Sequence, residues 1–259
     1  MISLVDVRLD HPRGGAPLVS EGNLKVSRGE VAIVVGAAGV GTSRLVAAAL
    51  GEVIASAGRI EVLGHDVAKL RRSSLRLLRR KVGIVPQDLC LLADRSAQVN
   101  VALPLEIDGF PRSISIVKAN EILAKLGLED EGSLPIDCLS ASAKQRVAVA
   151  RALVREPELV IADHPTMWQD AAGAELVCAA LAEAAEAGAS VLCFGRDYAL
   201  RTIAERRQWR QLALIDGALK PLGDVLLEGK TIDELLLGME SVPANVVPFP
   251  LSARTAGVA

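Results

Sequence analysis

Short apolar runs alternate along the chain with longer stretches whose apolar residues recur at helical spacing, which predicts an α/β protein with a largely parallel sheet. The expected strands are Ile2 to Arg8, Val31 to Val35, Val82 to Val85, Leu159 to Ala162, Val191 to Phe194 and Leu212 to Ile215, and four of them run apolar without alternation. Such runs suit strands covered on both faces. Between Val85 and Leu159 the strand signal stops, and helical patterns take over around Ala97 to Leu105 and Ser113 to Leu126. Residues 88–135 therefore read as a helical lobe inserted into a core made of residues 1–87 and 136–238. From Ser241 onward Pro243, Pro248 and Pro250 interrupt regular structure, and residues 239–259 read as a loosely held tail.

Composition narrows the classes. Of 259 residues 51% are apolar, enough to build a full core and to exclude intrinsic disorder for most of the chain. With 29 basic against 31 acidic side chains and only 2% aromatics, the chain lacks the positive field and stacking rings of a general nucleic-acid binder, so no nucleic-acid partner is expected. No apolar run reaches the about 18–20 residues of a membrane span. The opening MISLVDVRLD carries acids where a signal peptide is basic and then apolar, which leads to the expectation of a cytoplasmic chain. Cys90, Cys138, Cys178 and Cys193 are scattered without a C-x-x-C pair, which favours reduced thiols over a zinc site or disulfides.

The sharpest motif follows the run VAIVV: Gly36-Ala37-Ala38-Gly39-Val40-Gly41-Thr42-Ser43, with Arg44-Leu45-Val46-Ala47 opening a helix. A strand, a glycine-rich turn and a helix N-terminus form an anion site, because free N–H groups and the positive end of the helix dipole converge there. The spacing is that of the phosphate loop G-x-x-x-x-G-K-[ST], with Thr42 in place of lysine. Losing that charge-assisted contact costs about 1.5–3 kcal/mol, or about one to two decades of affinity. Ser43 remains available to magnesium. Arg44 lies two helical positions beyond Thr42, about 200° around the axis, and is a poor substitute. Further on, an apolar strand ends in Asp163, the arrangement that holds magnesium through water beside such a loop.

Between these landmarks lie Val85-Pro86-Gln87-Asp88 and Leu139-Ser140-Ala141-Ser142-Ala143-Lys144-Gln145-Arg146. In order and spacing, roughly residues 1–220 resemble the ATP-binding subunits of ABC transporters. The stretch Pro86 to Arg95, followed by Asn100 to Leu105, is especially similar to the subgroup containing FtsE and LolD. The resemblance implies an α/β P-loop NTPase core with a mainly parallel sheet, an antiparallel β portion and an inserted helical lobe. It implies ATP and Mg2+ as cofactors, an integral membrane permease subunit as partner, and a place on the cytosolic face of the inner membrane. It also implies pairing of two such subunits head to tail, as a homodimer or as a heterodimer with a competent ABC ATPase. Carried onto this sequence, the nucleotide contacts are Gly36, Ala37, Ala38, Gly39, Val40, Gly41, Thr42, Ser43, Arg44, His11 and Ser140; the magnesium positions are Ser43, Gln87 and Asp163; the catalytic positions are Gln87, His164 and Arg196.

The departures fall at reactive positions. Thr42 replaces the lysine, His164 the glutamate that polarises the attacking water, Arg196 the switch histidine, Ala141-Ser142-Ala143 the glycine-rich part of the signature, and His11 the aromatic that stacks on adenine. A missing water-orienting group lowers rate by about 10² to 10⁴. The expectation is a degenerate subunit with weak ATP binding and poor hydrolysis. The open alternatives are an active transport ATPase with His164 as base, since an unperturbed imidazole titrates near about 6.5, and a non-enzymatic scaffold. Arg196 is expected either on a phosphate or engaged with the neighbourhood of Asp197 or with solvent, and the basic run Lys69 to Lys81 reads as a solvated helix face.

Overall fold

The computed structural model describes residues 1–37 and 39–227, so Ala38 and the expected tail lie outside the described residues. Its strands are β1 (Ile2–Leu9), β2 (Val19–Val26), β3 (Val31–Val35), β4 (Ala57–Val62), β5 (His65–Asp66), β6 (Val82–Val85), β7 (Leu159–Asp163), β8 (Ser190–Phe194), β9 (Arg210–Ile215) and β10 (Ala218–Pro221). Its helices are α1 (Thr42–Ala49), α2 (Arg72–Arg80), α3 (Ala97–Ile107), α4 (Arg112–Lys125), α5 (Ala141–Leu153), α6 (Ala171–Glu186), α7 (Tyr198–Arg206) and α8 (Leu222–Leu227). All six sequence-predicted strands are present, together with β2, β4, β5 and β10, which the apolar pattern did not announce.

The strands form one sheet in the order β5-β4-β1-β2-β10-β9-β3-β8-β7-β6. From β9 to β6 every pair is parallel, whereas β5, β4, β1 and β2 pair antiparallel. The two portions meet at a single parallel bridge, Ala218 opposite Glu21. This is the mixed α/β arrangement expected of a P-loop core with an antiparallel portion.

Every residue of β3, β7 and β8 is buried. Alternating side chains point to opposite faces of a strand, so each strand feeds two apolar layers. Ile33, Val160 and Val191 join helices α3 to α7 on one face, and Val34, Ile161 and Leu192 join α1, α2 and the antiparallel strands on the other. Enclosure on both faces is the physical reason the sequence runs apolar there.

The helices between β6 and β7 rest on the first of these layers through Ala97, Val101, Leu105, Ala119 and Leu123. Buried Asn100 pins the preceding segment to α3: its side-chain oxygen accepts from Leu92 N at 2.7 Å, and its amide donates to Leu92 O at 3.1 Å. Leu134 O accepts from Ala97 N at 3.0 Å and Arg95 O from Ile136 N at 2.9 Å, which closes the base of α3 and α4. Among the described residues, no helix is long and apolar enough to cross a membrane.

Candidate functional site: a phosphate loop and its neighbouring strand ends

Parallel strands put their carboxyl ends along one edge, and ligands of open α/β sheets bind there. The chain leaves β3 into Gly36, β8 into Gly195 and Arg196, β7 into His164, and β6 into Pro86 and Gln87. Four neighbouring strands thus deliver the loop, Arg196, His164 and Gln87 to the same edge.

Within the loop, Gly39 and Gly41 have φ of 84° and 107°, a region that L side chains rarely adopt. A Cβ at Gly41 would also lie 2.8 Å from Leu18 Cβ. Gly41 caps α1 without any side-chain hydrogen bond to the helix, and α1 has no acid in its first turn. Its first amides and dipole are therefore left for an anion. Thr42 is half-buried at the first helical position. Arg44 Nε is buried without a hydrogen-bond partner, and the Asp10 carboxyl, held low by hydrogen bonds from Ser56 and Arg8, also feels the charge of Arg44.

Asp163 is the centre of the arrangement. Only 4% exposed, it accepts a hydrogen bond from Ser43 Oγ at 3.2 Å on one oxygen, and its other oxygen lies 2.8 Å from His164 Nδ1. The His164 backbone is held in the left-handed region at φ 54°. Its N–H donates to Phe194 O at 2.7 Å, and its carbonyl accepts from Met167 N at 3.2 Å and from Gln145 Nε2 at 3.1 Å. With the backbone fixed on these sides, the imidazole folds back onto its own neighbour. Ser43, Asp163 and His164 are thereby brought together; the loop residues and an Asp–Ser pair suit Mg2+ and phosphate, while Thr42 brings no charge and the charge of Arg44 acts on Asp10.

Among the described residues, Gln87, Ser140, His11 and Arg196 make no hydrogen bond to this trio. Gln87 and Ser140 are exposed, and His11 is half-buried with Nδ1 accepting from Arg13 N at 3.1 Å. Ser140 caps α5 through Ala143 N at 3.1 Å. Of the alternatives for Arg196, the structure shows the solvent one and not an ion pair near Asp197. Asp197 spends its carboxylate on Thr166 Oγ1 at 2.8 Å and Leu200 N at 2.9 Å, and Arg196 is exposed with no ion pair among the described residues.

Residues that sequence reasoning missed hold the frame together. Gln145 is buried in α5 beneath His164; a lone polar side chain in the apolar stripe of α5 was its available signal. Gln169 exchanges hydrogen bonds with Ser142, and Arg151 donates to the carbonyls of Leu89 and Cys90 after Gln87. Nothing in local sequence announces these long-range pairs.

A glycine-rich cradle at the carboxyl edge, with an acid-ended strand beside it and a mixed sheet behind it, defines the class as a P-loop nucleotide-binding cassette. The chain belongs to the ABC transporter family, whose pattern it matches over residues 19–167. It is 36% identical over 207 residues to the cell division ATP-binding protein FtsE of Escherichia coli, covering 80% of this chain and 91% of that one. It is 39% identical over 171 residues to the methionine import ATP-binding protein MetN of Caulobacter vibrioides, covering 66% of this chain and 51% of that one. The chain thus spans about half the length of that methionine import protein. Among solved structures, a dimeric ATP-binding cassette in a post-hydrolysis state bound to ADP and Pi aligns at TM-score 0.76 and 27% identity, over 85% of this chain and 96% of that one.

Proposed function

We propose that the chain is the nucleotide-binding-type subunit of an inner-membrane ABC complex of the FtsE kind, with weak ATP binding and impaired hydrolysis. Its work is then to carry or stabilise conformation at the cytosolic side of a membrane permease partner, with residues 88–135 facing that partner. It pairs with a second copy or with a competent ABC ATPase. The observation that carries this reading is the state of Asp163, enclosed between Ser43 and His164, while Thr42 stands where a phosphate-binding cation is needed. Mg-ATP, when bound, would supply the metal charge and the scissile phosphoryl group; Gly36 to Ser43 would cradle the phosphates, and Ser43 and Asp163 would hold the metal.

Isothermal titration with Mg-ATP tests the reading. Thr42→Lys is expected to tighten binding by about ten- to a hundredfold, the worth of one charge-assisted contact. Equal micromolar binding by both chains would refute the role given to Thr42.

One observation favours a second reading, an active ATPase with His164 as base. Nδ1 of His164 lies 2.8 Å from Asp163 Oδ1, so Nε2 would be the ring nitrogen free to take a proton from water. Turnover by the isolated chain that His164→Ala abolishes would select this reading over the first.

A further inference from the structure

The basic run ahead of Gln87 folds as α2, and the structure separates its cations into two sets. Four are satisfied: Lys69 pairs with Asp66 at 3.2 Å, Arg79 with Glu52 at 3.9 Å, Arg80 with Asp108 at 3.8 Å and Lys81 with Glu158 at 2.8 Å. Arg71, Arg72 and Arg76 are exposed and have neither a carboxylate nor a hydrogen-bond acceptor among the described residues. Leu78 is buried and Leu70 and Leu75 pack beside it, so the opposite face of α2 looks outward. On that face Arg72, Arg76 and Arg80 recur every fourth residue and stack along one ridge about 12 Å long. Beside the ridge stands Leu77, 63% exposed.

This arrangement works against the isolated helix. Like charges four residues apart repel, and cations at a helix N-terminus oppose its dipole. α2 has Arg71 as its N-cap, Arg72 as its first residue and no acid in its first turn. An intramolecular role would bring a carboxylate to these side chains, as happens at the other four cations. An external anionic surface removes both costs at once.

We propose that the outer face of α2 is a docking surface for anionic phospholipid headgroups, with Arg71, Arg72 and Arg76 on the phosphates and Leu77 at the headgroup–acyl boundary. A lipid surface is favoured over an acidic peptide because a headgroup layer offers phosphates to the unpaired arginines and an apolar boundary to the protruding Leu77 beside them, which an acidic peptide does not. Three cations and one leucine bind weakly alone; they act by orienting a chain that a membrane protein already holds nearby. The inference does not depend on nucleotide binding at the phosphate loop.

Co-sedimentation of the full chain with vesicles of 70% phosphatidylcholine and 30% phosphatidylglycerol, by mole, tests it. Binding is expected at low salt, with loss at high salt and no binding to pure phosphatidylcholine. Arg72→Gln with Arg76→Gln is expected to weaken partitioning about thirtyfold, as two cationic contacts are lost, with an unchanged circular dichroism spectrum and a melting temperature no lower than that of the native chain, since the repulsion between the arginines is relieved. Leu77→Ser is expected to weaken it further without altering the salt dependence. No binding by the native chain, equal binding to the neutral vesicles, or undiminished binding by the double variant would each overturn the proposal, as would capture by polyglutamate without capture by vesicles.

Discussion

Ser142 and Gln169 exchange two hydrogen bonds: Ser142 Oγ donates to Gln169 Oε1 and Gln169 Nε2 donates to Ser142 O, each at 2.9 Å. The pair ties the first turn of α5 to the turn that precedes α6, whose cap Asp170 accepts from Gly173 N at 2.7 Å. Gly173 is part of the same device, because a Cβ there would overlap the Gln169 amide. Gln169→Ala is expected to cost about 1–2 kcal/mol, as two neutral hydrogen bonds are lost. A double-mutant cycle with Ser142→Ala is expected to give a coupling of about 0.5–1.5 kcal/mol. Additive denaturation midpoints would show that the two side chains do not act together.

Arg151, near the end of α5, reaches across to the carbonyls of Cys90 and Leu89 at 2.6 and 2.5 Å. Burial lowers the pKa of its guanidinium, yet it stays charged at any pH the fold survives. Leu89 and Cys90 have φ of 58° and 45°, so this turn spends backbone energy that the guanidinium offsets. Arg151→Leu is expected to lower stability by about 2–4 kcal/mol and to speed amide hydrogen exchange at residues 87–92. At exposed Cys90 the comparison of Gly with Ala isolates the backbone cost, and Cys90→Gly is expected to be the more stable by about 1 kcal/mol. Chemical denaturation of the three variants measures both effects.

The thiols divide by burial. Cys90 and Cys138 are exposed, and Cys178 and Cys193 are buried. Burial pushes the Cys178 thiol up to about 12 and Cys193 upward as well. Cys90 donates to Asp88 Oδ1 at 2.9 Å, and that hydrogen bond raises its pKa too. Because the thiolate is the nucleophile, a disulfide reagent at neutral pH is expected to label two cysteines in the native chain and all four in denaturant. Cys138 is expected to react ahead of Cys90, and Asp88→Asn is expected to narrow the gap.

The strands of the parallel portion were legible because β3 is apolar throughout and β7 and β8 each carry a single polar residue, Asp163 and Ser190, at one end, a pattern that two-sided burial demands. The strands that escaped notice are half-exposed or short. β2 reads VSEGNLKV, β4 begins with three exposed residues, Ala57 to Arg59, and β10 has only four residues. The site divides in the same way. The glycines, Ser43 and Asp163 sit in contiguous motifs, whereas the Asp163–His164 contact follows from the His164 backbone, which Phe194 and Gln145 fix from distant parts of the chain. Composition holds no record of such pairings.

Stability is expected to fall on the acid side. The Lys81 ammonium holds the Glu158 carboxyl below its usual range through a hydrogen bond, and Arg207 and then Arg206 do the same for Glu175, with burial opposing. A carboxyl whose folded pKa is depressed contributes fully above its unfolded value and loses that contribution as pH falls through the folded value. Melting temperature is therefore expected to decline below about pH 4.3, the unfolded glutamate value. Lys81→Met is expected to flatten part of that decline. An unchanged slope would show that the Lys81–Glu158 pair plays no part.

Thr42 and His164 remove different parts of the same chemistry, so their restorations are expected to be interdependent. Thr42→Lys supplies charge to the phosphate cradle, and His164→Glu frees Asp163 from the imidazole while adding a carboxylate that can orient water. His164→Glu alone acts on a chain that still holds nucleotide weakly, and Thr42→Lys alone leaves water unoriented. Each single variant is therefore expected to show little gain in steady-state phosphate release, and the double variant to exceed the product of the two. The water-orienting group is worth about 10² to 10⁴ in rate once nucleotide is held. His164 tolerates φ 54°, as histidine does more readily than most residues, so His164→Asn serves as the control that keeps the backbone and removes the imidazole. Phosphate release from the native chain matching that of the double variant would mean that the imidazole already orients water in place of a carboxylate.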